Sequence, residues 1–308
     1  MKTGARSIKN VVLLMLAALI WGIAFVAQSV AMDHVGAFTF NGLRSVLGGI
    51  VLLPVIAVSG AAKKKSGTYQ PMDKAGRKAL IIGGIICGIC LCVATNLQQF
   101  ALKDAEAGKA GFITALYIVI VPVLGIFFKK KVRPIIWACV AIAVAGMYLL
   151  CVSGSMSLAT SDILLMLCAL VFSFHILAID HFSPKVDGVK LSCIQFFVCG
   201  GISCIMMFIF EKPDWASICA AYIPLLYAGI FSCGVAYTFQ ILGQKDFNPT
   251  VASLILSLES VFSVLAGWII LGQTLSLVEM GGCVMIFIAI ILAQFPARKK
   301  PKSKPIKC

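Results

Sequence analysis

Apolar residues run along this chain in blocks of about twenty, parted by short polar turns, and do not alternate with polar residues at the period of a half-buried strand. A helix rising 1.5 Å per residue needs about 20 apolar residues to cross a hydrocarbon layer roughly 30 Å thick. Ten blocks meet that length: 11–31, 37–59, 79–101, 109–128, 134–152, 162–182, 190–210, 221–242, 249–272 and 276–295. The pattern predicts an all-α fold, a polytopic membrane protein with ten transmembrane helices. The first block follows Lys2, Arg6 and Lys9 but is too long for a signal-peptide core and lacks a small-residue cleavage site, so it is expected to remain as a span.

The blocks fall into two similar sets. Leu13 to Trp21 aligns with Leu164 to Phe172 at an offset of 151, and Val93 to Asp104 aligns with Val235 to Asp246 at an offset of 142. In the second alignment polar residues coincide: Gln98 with Gln240, Lys103 with Lys245, Asp104 with Asp246. That register continues through Ala110 and Ala252, Ile113 and Ile255, and Gly125 and Gly267. The drop in offset puts extra length in the Lys-rich loop around 60–78. Five helices per half is an odd number, so the second half is expected to enter the membrane from the opposite side. This predicts two inverted five-helix repeats, 10–152 and 160–296, followed by a basic cytoplasmic tail, 297–308. Two similar units facing opposite ways can exchange conformations, which is the logic of alternating access.

Composition sharpens the reading. Of 308 residues 60% are apolar and 12% charged, with a mean hydropathy of +1.01, which excludes a water-soluble enzyme. A net charge of +14 invites a nucleic-acid partner until the basic residues are placed. With the N-terminus in the cytoplasm, 22 of the 26 Lys and Arg lie on that side, in the runs at 2–9, 63–78, 129–133, 185–190, 245 and 298–307. Lys103, Lys109 and Lys212 fall outside, and Arg44 lies within a span. This positive-inside bias predicts two cytoplasmic termini in the cell membrane, with the lipid bilayer as partner and no nucleic acid. Most of the 13 cysteines sit inside apolar blocks and read as small buried hydrophobes. Cys87-Gly88-Ile89-Cys90 has no second pair or neighbouring His, so no metal and no cofactor are expected. HExxH, GxSxG, P-loop and GxGxxG motifs are absent from the sequence, and no catalytic residues are assigned.

Polar groups inside spans are costly and each needs an account. Glu259 lies about 15 Å into the ninth block, near the midplane, and its repeat counterpart is Tyr117. Three roles compete for it: a substrate or proton site, an ion pair with Arg44, and a helix-to-helix hydrogen bond in its neutral form. Arg44 is read first as a structural or ion-pair residue able to reach water along its stem, with holding an anionic group as the alternative. His175, deep in the sixth block, is either a ligand or proton-relay group or a satisfied core histidine. Asn96, Gln98 and Gln99 in the third block, with Tyr237 and Gln240 in the eighth, supply uncharged donors and acceptors, for a ligand or for interhelical bonds. Trp21 and Tyr117 are aromatic at similar depth, suited to an apolar or aromatic ligand or to packing. The expected substrate-binding set is Glu259, Tyr117, Gln98, Gln240, His175, Trp21, Asn96 and Tyr237.

Two stretches carry a family resemblance. One is Ala107-Gly108-Lys109-Ala110-Gly111-Phe112-Ile113-Thr114-Ala115-Leu116-Tyr117, running on to Pro122. The other is Ser257-Leu258-Glu259-Ser260-Val261-Phe262-Ser263-Val264-Leu265-Ala266-Gly267-Trp268, ending in Leu271-Gly272-Gln273. The chain resembles the EamA-type members of the drug/metabolite transporter superfamily over roughly residues 10–295. The family often has an acid after the final Leu-Gly, where this chain has Gln273, and the equivalent first-half turn is Lys129-Lys130-Lys131. The resemblance implies a secondary transporter that exports or exchanges small metabolites such as amino acids, as a monomer or homodimer. It also implies a midplane cavity formed by the first, third, fourth, sixth, eighth and ninth helices. Three other functions stand beside this one: an intramembrane enzyme using Glu259 and His175 as acid and base, a channel, and a multidrug or nucleotide-sugar-type transporter of the same superfamily.

Overall fold

The computed structural model describes residues 2–67, 71–105, 107–127, 132–151, 159–272 and 276–294, and no strand occurs among them. In chain order the helices are α1 (Lys2–Ala31), α2 (Ala37–Lys65), α3 (Lys74–Ala101), α4 (Ala107–Thr114), α5 (Tyr117–Phe127), α6 (Pro134–Cys151) and α7 (Thr160–Phe182). They continue with α8 (Gly188–Phe210), α9 (Trp215–Ala220), α10 (Tyr222–Leu226), a π-helical stretch at Tyr227–Ala236, α11 (Tyr237–Gln244), α12 (Pro249–Leu256), α13 (Leu258–Leu271) and α14 (Leu277–Gln294). Eight helical segments are long and apolar enough to cross a membrane; α6 and α14 carry shorter apolar stretches, Pro134–Gly146 and Met280–Ala293. The Lys129-Lys130-Lys131 turn, Gln273 and the tail 297–308 lie outside the described residues.

The polar turns fix where helices begin. The side chain of Asp73 accepts a bond from the amide of Gly76 at 2.8 Å, and Asp187 accepts from Val189 and Lys190. Asn248 accepts from Thr250 and Val251, with Pro249 in the first turn of α12, where its missing N–H costs nothing. The start of α2 borrows its cap from a distant turn: Glu211 accepts from the amides of Phe38 and Thr39 at 2.9 and 2.8 Å and from Thr39 Oγ1 at 2.6 Å. A carboxylate there also meets the positive end of the helix dipole.

Two of the membrane-length segments are broken. The first is interrupted between α4 and α5, the second at Ser257 between α12 and α13. At the second break hydroxyls bond carbonyls three residues back: Ser253 to Thr250, Ser257 to Leu254, Ser260 to Ser257 and Ser263 to Ser260. Such back-bonding competes with the helical ladder and bends it. Pro122 lies inside continuous α5, so the interruption falls before it.

Packing joins α2 to α8 and to the π-helical stretch, α6 to α14, α3 to α7 and α8, and α1 to α11 and α13. Glycine permits the closest approaches, since a Cβ on Gly48 would stand 2.5 Å from that of Cys233, and one on Gly146 2.7 Å from the carbonyl of Gly282. Burial is inverted relative to a water-soluble protein. Ile50, Leu53, Ile81, Ile85, Ile89 and Phe208 are exposed, whereas Asn41, Arg44, Gln98, Gln99, His175, Gln195, Gln240, Gln244 and Glu259 are buried. Apolar flanks facing lipid and polar groups facing a protein interior are what a bilayer requires.

Candidate functional site

The buried polar groups are not scattered. Arg44, Gln98, Gln240 and Glu259 surround one internal cavity with Trp21, Phe25, Gln28, Tyr117, Phe172, Ile176, Ser232, Tyr237 and Leu256. In this conformation its free volume is about 30 Å³, room for little more than a water molecule, so the side chains around it are closed together. The helices that supply it are α1, α2, α3, α5, α7, the π-helical stretch, α11, α12 and α13. Both helix breaks open onto it: Tyr117 is the first residue of α5 and Glu259 the second of α13.

Those two residues meet. Tyr117 Oη donates to Glu259 Oε1 at 2.8 Å, so one carboxylate oxygen has a partner and the other is left for a further donor. Arg44, 3% exposed, donates from an Nη to Gln28 Oε1 at 2.8 Å and stands 5.1 Å from the ring centre of Phe40. Gln28 is itself held, its amide nitrogen bonding the carbonyl of Ala24 and its own carbonyl accepting from Gln99 at 3.1 Å. Among the described residues, Arg44 and Glu259 make no ion pair within 4.0 Å of each other; each is anchored by a neutral neighbour. The cavity therefore carries one guanidinium and one carboxyl group that do not pair directly with each other. Around them Trp21 and Tyr237 pack with ring centres 4.6 Å apart, and Phe196 supports Tyr237 from behind at 5.5 Å.

Six of the eight expected binding residues line this space: Glu259, Tyr117, Gln98, Gln240, Trp21 and Tyr237. His175 and Asn96 lie behind its wall. His175 Nε2 is 3.2 Å from Gln195 Oε1, and its ring meets the edges of Phe172 and Tyr237, which do face the cavity. Asn96 ties three helices together, donating to the carbonyl of Cys92 and to Ser203 Oγ and accepting from Asn41. Gln28 is the functional neighbour that the residue pattern offered and the sequence reading passed over, a polar side chain inside an apolar span. Phe25, Phe172, Ile176, Leu256 and Ser232 carried no such signal, because apolar and small residues look alike at every depth of a span.

A bundle of membrane-length helices around a polar, aromatic-walled chamber defines a multi-span membrane protein built to hold a small molecule away from lipid. The EamA-like transporter family model matches residues 8–152 and again 159–295, and the chain belongs to this family, within the drug/metabolite transporter superfamily. An uncharacterized transporter of Archaeoglobus fulgidus is 28% identical over 94% of this chain and 88% of its own length. The uncharacterized inner membrane transporter YedA of Escherichia coli K12 is 22% identical, covering 94% and 92%. A crystal structure with 20% identity superposes at a TM-score of 0.75 over 92% of this chain and 96% of that one, which shows a shared fold. The protein is thus a transporter and not an enzyme.

Proposed function

We propose that the chain carries an amphoteric small metabolite, an amino acid with an apolar or aromatic side chain, out of the cell or in exchange, by alternating access around this cavity. The observation that carries the reading is the separate anchoring of Arg44 by Gln28 and of Glu259 by Tyr117 on one aromatic-walled chamber. Arg44 would hold a carboxylate, Glu259 an ammonium, and the rings of Trp21, Phe172 and Tyr237 the side chain. A buried charge without an ionic partner is costly, so a ligand that brings the opposite charge binds where that cost is relieved.

The transport mechanism we infer uses ten crossings in two inverted repeats, 10–152 and 160–296, with the tail 297–308 and both termini in the cytoplasm. Helix positions support it. Ala37 and Gly188 begin α2 and α8 at a separation of 151, and Ala107 and Pro249 begin α4 and α12 at 142, the two offsets of the internal alignment. The packing of α3 on α7 is matched by that of α1 on α11, and α3 on α8 by α2 on the π-helical stretch, as exchange of the halves requires. Two broken helices at corresponding positions are a feature of transporters built from inverted repeats.

Purified protein in liposomes, offered labelled amino acids with and without an imposed pH gradient, tests this. Saturable uptake across a sealed bilayer is expected for a subset with apolar side chains. Unsaturable flux would indicate a channel, and turnover in detergent an enzyme. If Glu259→Gln and His175→Ala both leave uptake and its pH dependence unchanged, the polar-site reading fails.

A further inference from the structure

The two halves treat corresponding glutamines differently. Gln98 and Gln240 are 142 positions apart, and both line the cavity. Gln98 Nε2 donates to Thr114 Oγ1 at 3.2 Å, and Thr114 is the last residue of α4. The residue 142 positions on from Thr114 is Leu256, the last residue of α12, which also faces the cavity. Leucine has no hydroxyl, so the Gln240 amide nitrogen lacks the acceptor that Gln98 has, and Gln240 Oε1 is itself buried with no hydrogen-bond partner among the described residues. Trp21 Nε1, on the same cavity, is likewise buried and unpartnered. An indole N–H only donates and an amide oxygen only accepts. Leaving such groups dry is expensive, and buried polar atoms that stay unpaired ask for an explanation.

We propose that Gln240 Oε1 is the acceptor for an N–H of the ligand's ammonium group, and that Leu256 determines specificity because it lacks the hydroxyl that ties the Gln98 amide nitrogen in the other half, leaving the Gln240 amide free to turn its oxygen to the ligand. Trp21 Nε1 is the complementary donor for the ligand's carboxylate. The inference rests on the amino-acid reading of the cavity and goes past it: charge alone does not satisfy the site, which also counts donors. An N-trimethylated amino acid keeps its positive charge but offers no N–H, and is therefore a poor ligand.

The test compares L-phenylalanine with N,N,N-trimethyl-L-phenylalanine in proteoliposomes of wild type, Leu256→Thr, Gln240→Leu and the double variant. Should another amino acid of the panel be carried instead, it and its N-trimethyl derivative take their place. Leu256→Thr offers the Gln240 amide nitrogen an internal acceptor that holds the side chain as Thr114 holds Gln98, and is expected to raise KM for the amino acid about fivefold or more with little change in kcat. In the Gln240→Leu background the same substitution is expected to change nothing further, a non-additivity that loss of packing would not produce. An equal effect in both backgrounds, or none in either, overturns the proposal while the amino-acid reading stands. If Leu256→Thr does not fold, Gln240→Leu alone decides. A rise in KM for the amino acid without a rise for the trimethyl derivative supports the proposal, and equal rises or none overturn it. Uptake of no amino acid at all overturns the reading and the inference together.

Discussion

The two halves of the chain build the same wall and furnish it with different charges. At an offset of 151, Trp21 corresponds to Phe172 and Phe25 to Ile176, and all four line the cavity. At that offset Arg44 corresponds to Gln195, and at 142 Tyr117 corresponds to Glu259. Each charge of the cavity thus comes from a different half, and each has a neutral counterpart in the other. The anchors differ as well: Gln28 holds Arg44, whereas His175 meets Gln195 away from the cavity. Apolar walls tolerate duplication, because their requirement is only shape and absence of polar atoms. A duplicated charge would instead give two cations or two anions in one dry chamber, with no means of telling one end of a ligand from the other. Divergence at these positions leaves one guanidinium and one carboxyl group in a chamber whose wall stays matched.

That comparison breaks first at Glu259. Removing one partner of a buried, desolvated charge interaction costs about 2–5 kcal/mol, so Glu259→Gln is expected to lower kcat/KM for a zwitterionic amino acid by about 30-fold or more. The glutamine keeps an acceptor for Tyr117, so folding should survive, as thermal unfolding in detergent would reveal. Arg44→Met is expected to cost as much in transport and to loosen Gln28 besides. If Glu259→Gln slows uptake of amino acids and of their N-acetyl derivatives, which carry no ammonium, alike, the ammonium is not what the carboxylate binds.

A smaller effect is expected where the halves differ in packing. Gly22 on α1 lies against Phe262 of α13, close enough that an added Cβ would overlap the Phe262 Cβ and stand 2.7 Å from its backbone carbonyl carbon. The residue 151 positions on is Ser173, which occupies the same place on α7 with its hydroxyl turned onto the carbonyl of Ala169 at 2.7 Å. Gly22→Ala is expected to destabilise by about 1–3 kcal/mol through overpacking, and Ser173→Ala by less than half as much. Equal midpoint shifts in detergent unfolding would mean that α1 and α7 are not packed differently.

Much of this was legible because a bilayer makes polarity conspicuous. Glu259, Tyr117, Gln98, Gln240 and Tyr237 stood out inside apolar blocks, and all face the cavity. Asn96 and His175 stood out for the same reason but satisfy helix contacts, since a buried polar side chain looks the same from sequence whether it turns toward a chamber or toward a neighbouring helix. The helix breaks at 115–116 and Ser257 carry no proline or glycine, and no composition signal marked them. At Ser257 hydroxyls spaced three or four residues apart each bond a carbonyl behind them and bend the chain. The π-helical stretch at Tyr227–Ala236 was equally hidden, its Gly229 and Gly234 having been read as part of one regular span. There the residues Leu47 and Val51 of α2 press on those glycines, a contact that exists only in the folded bundle.

The smallest expected effect lies at the ends of the bundle, where ion pairs join one half to the other. Lys63, at the end of α2, meets Asp187 Oδ2 at 3.0 Å, and Lys109 of α4 meets Asp162 Oδ1 of α7 at 2.8 Å. Asp187 is partly desolvated, which raises its affinity for protons, but Lys63 and the amides of Lys190 and Val189 outweigh this and hold the carboxyl below its usual range. A depressed native value means that the pair stabilises the fold above the ordinary carboxylate range and stops doing so as pH falls through the native one. Lys63 is half exposed, so water screens the pair, and Lys63→Met is expected to cost about 0.2–1 kcal/mol near neutral pH. That difference should shrink toward zero as pH falls through the depressed native range of Asp187, below the ordinary carboxylate range. If instead Lys63→Met abolishes uptake without changing the unfolding midpoint, the pair would be part of the conformational exchange between the halves, and charge asymmetry would extend from the cavity to the surface.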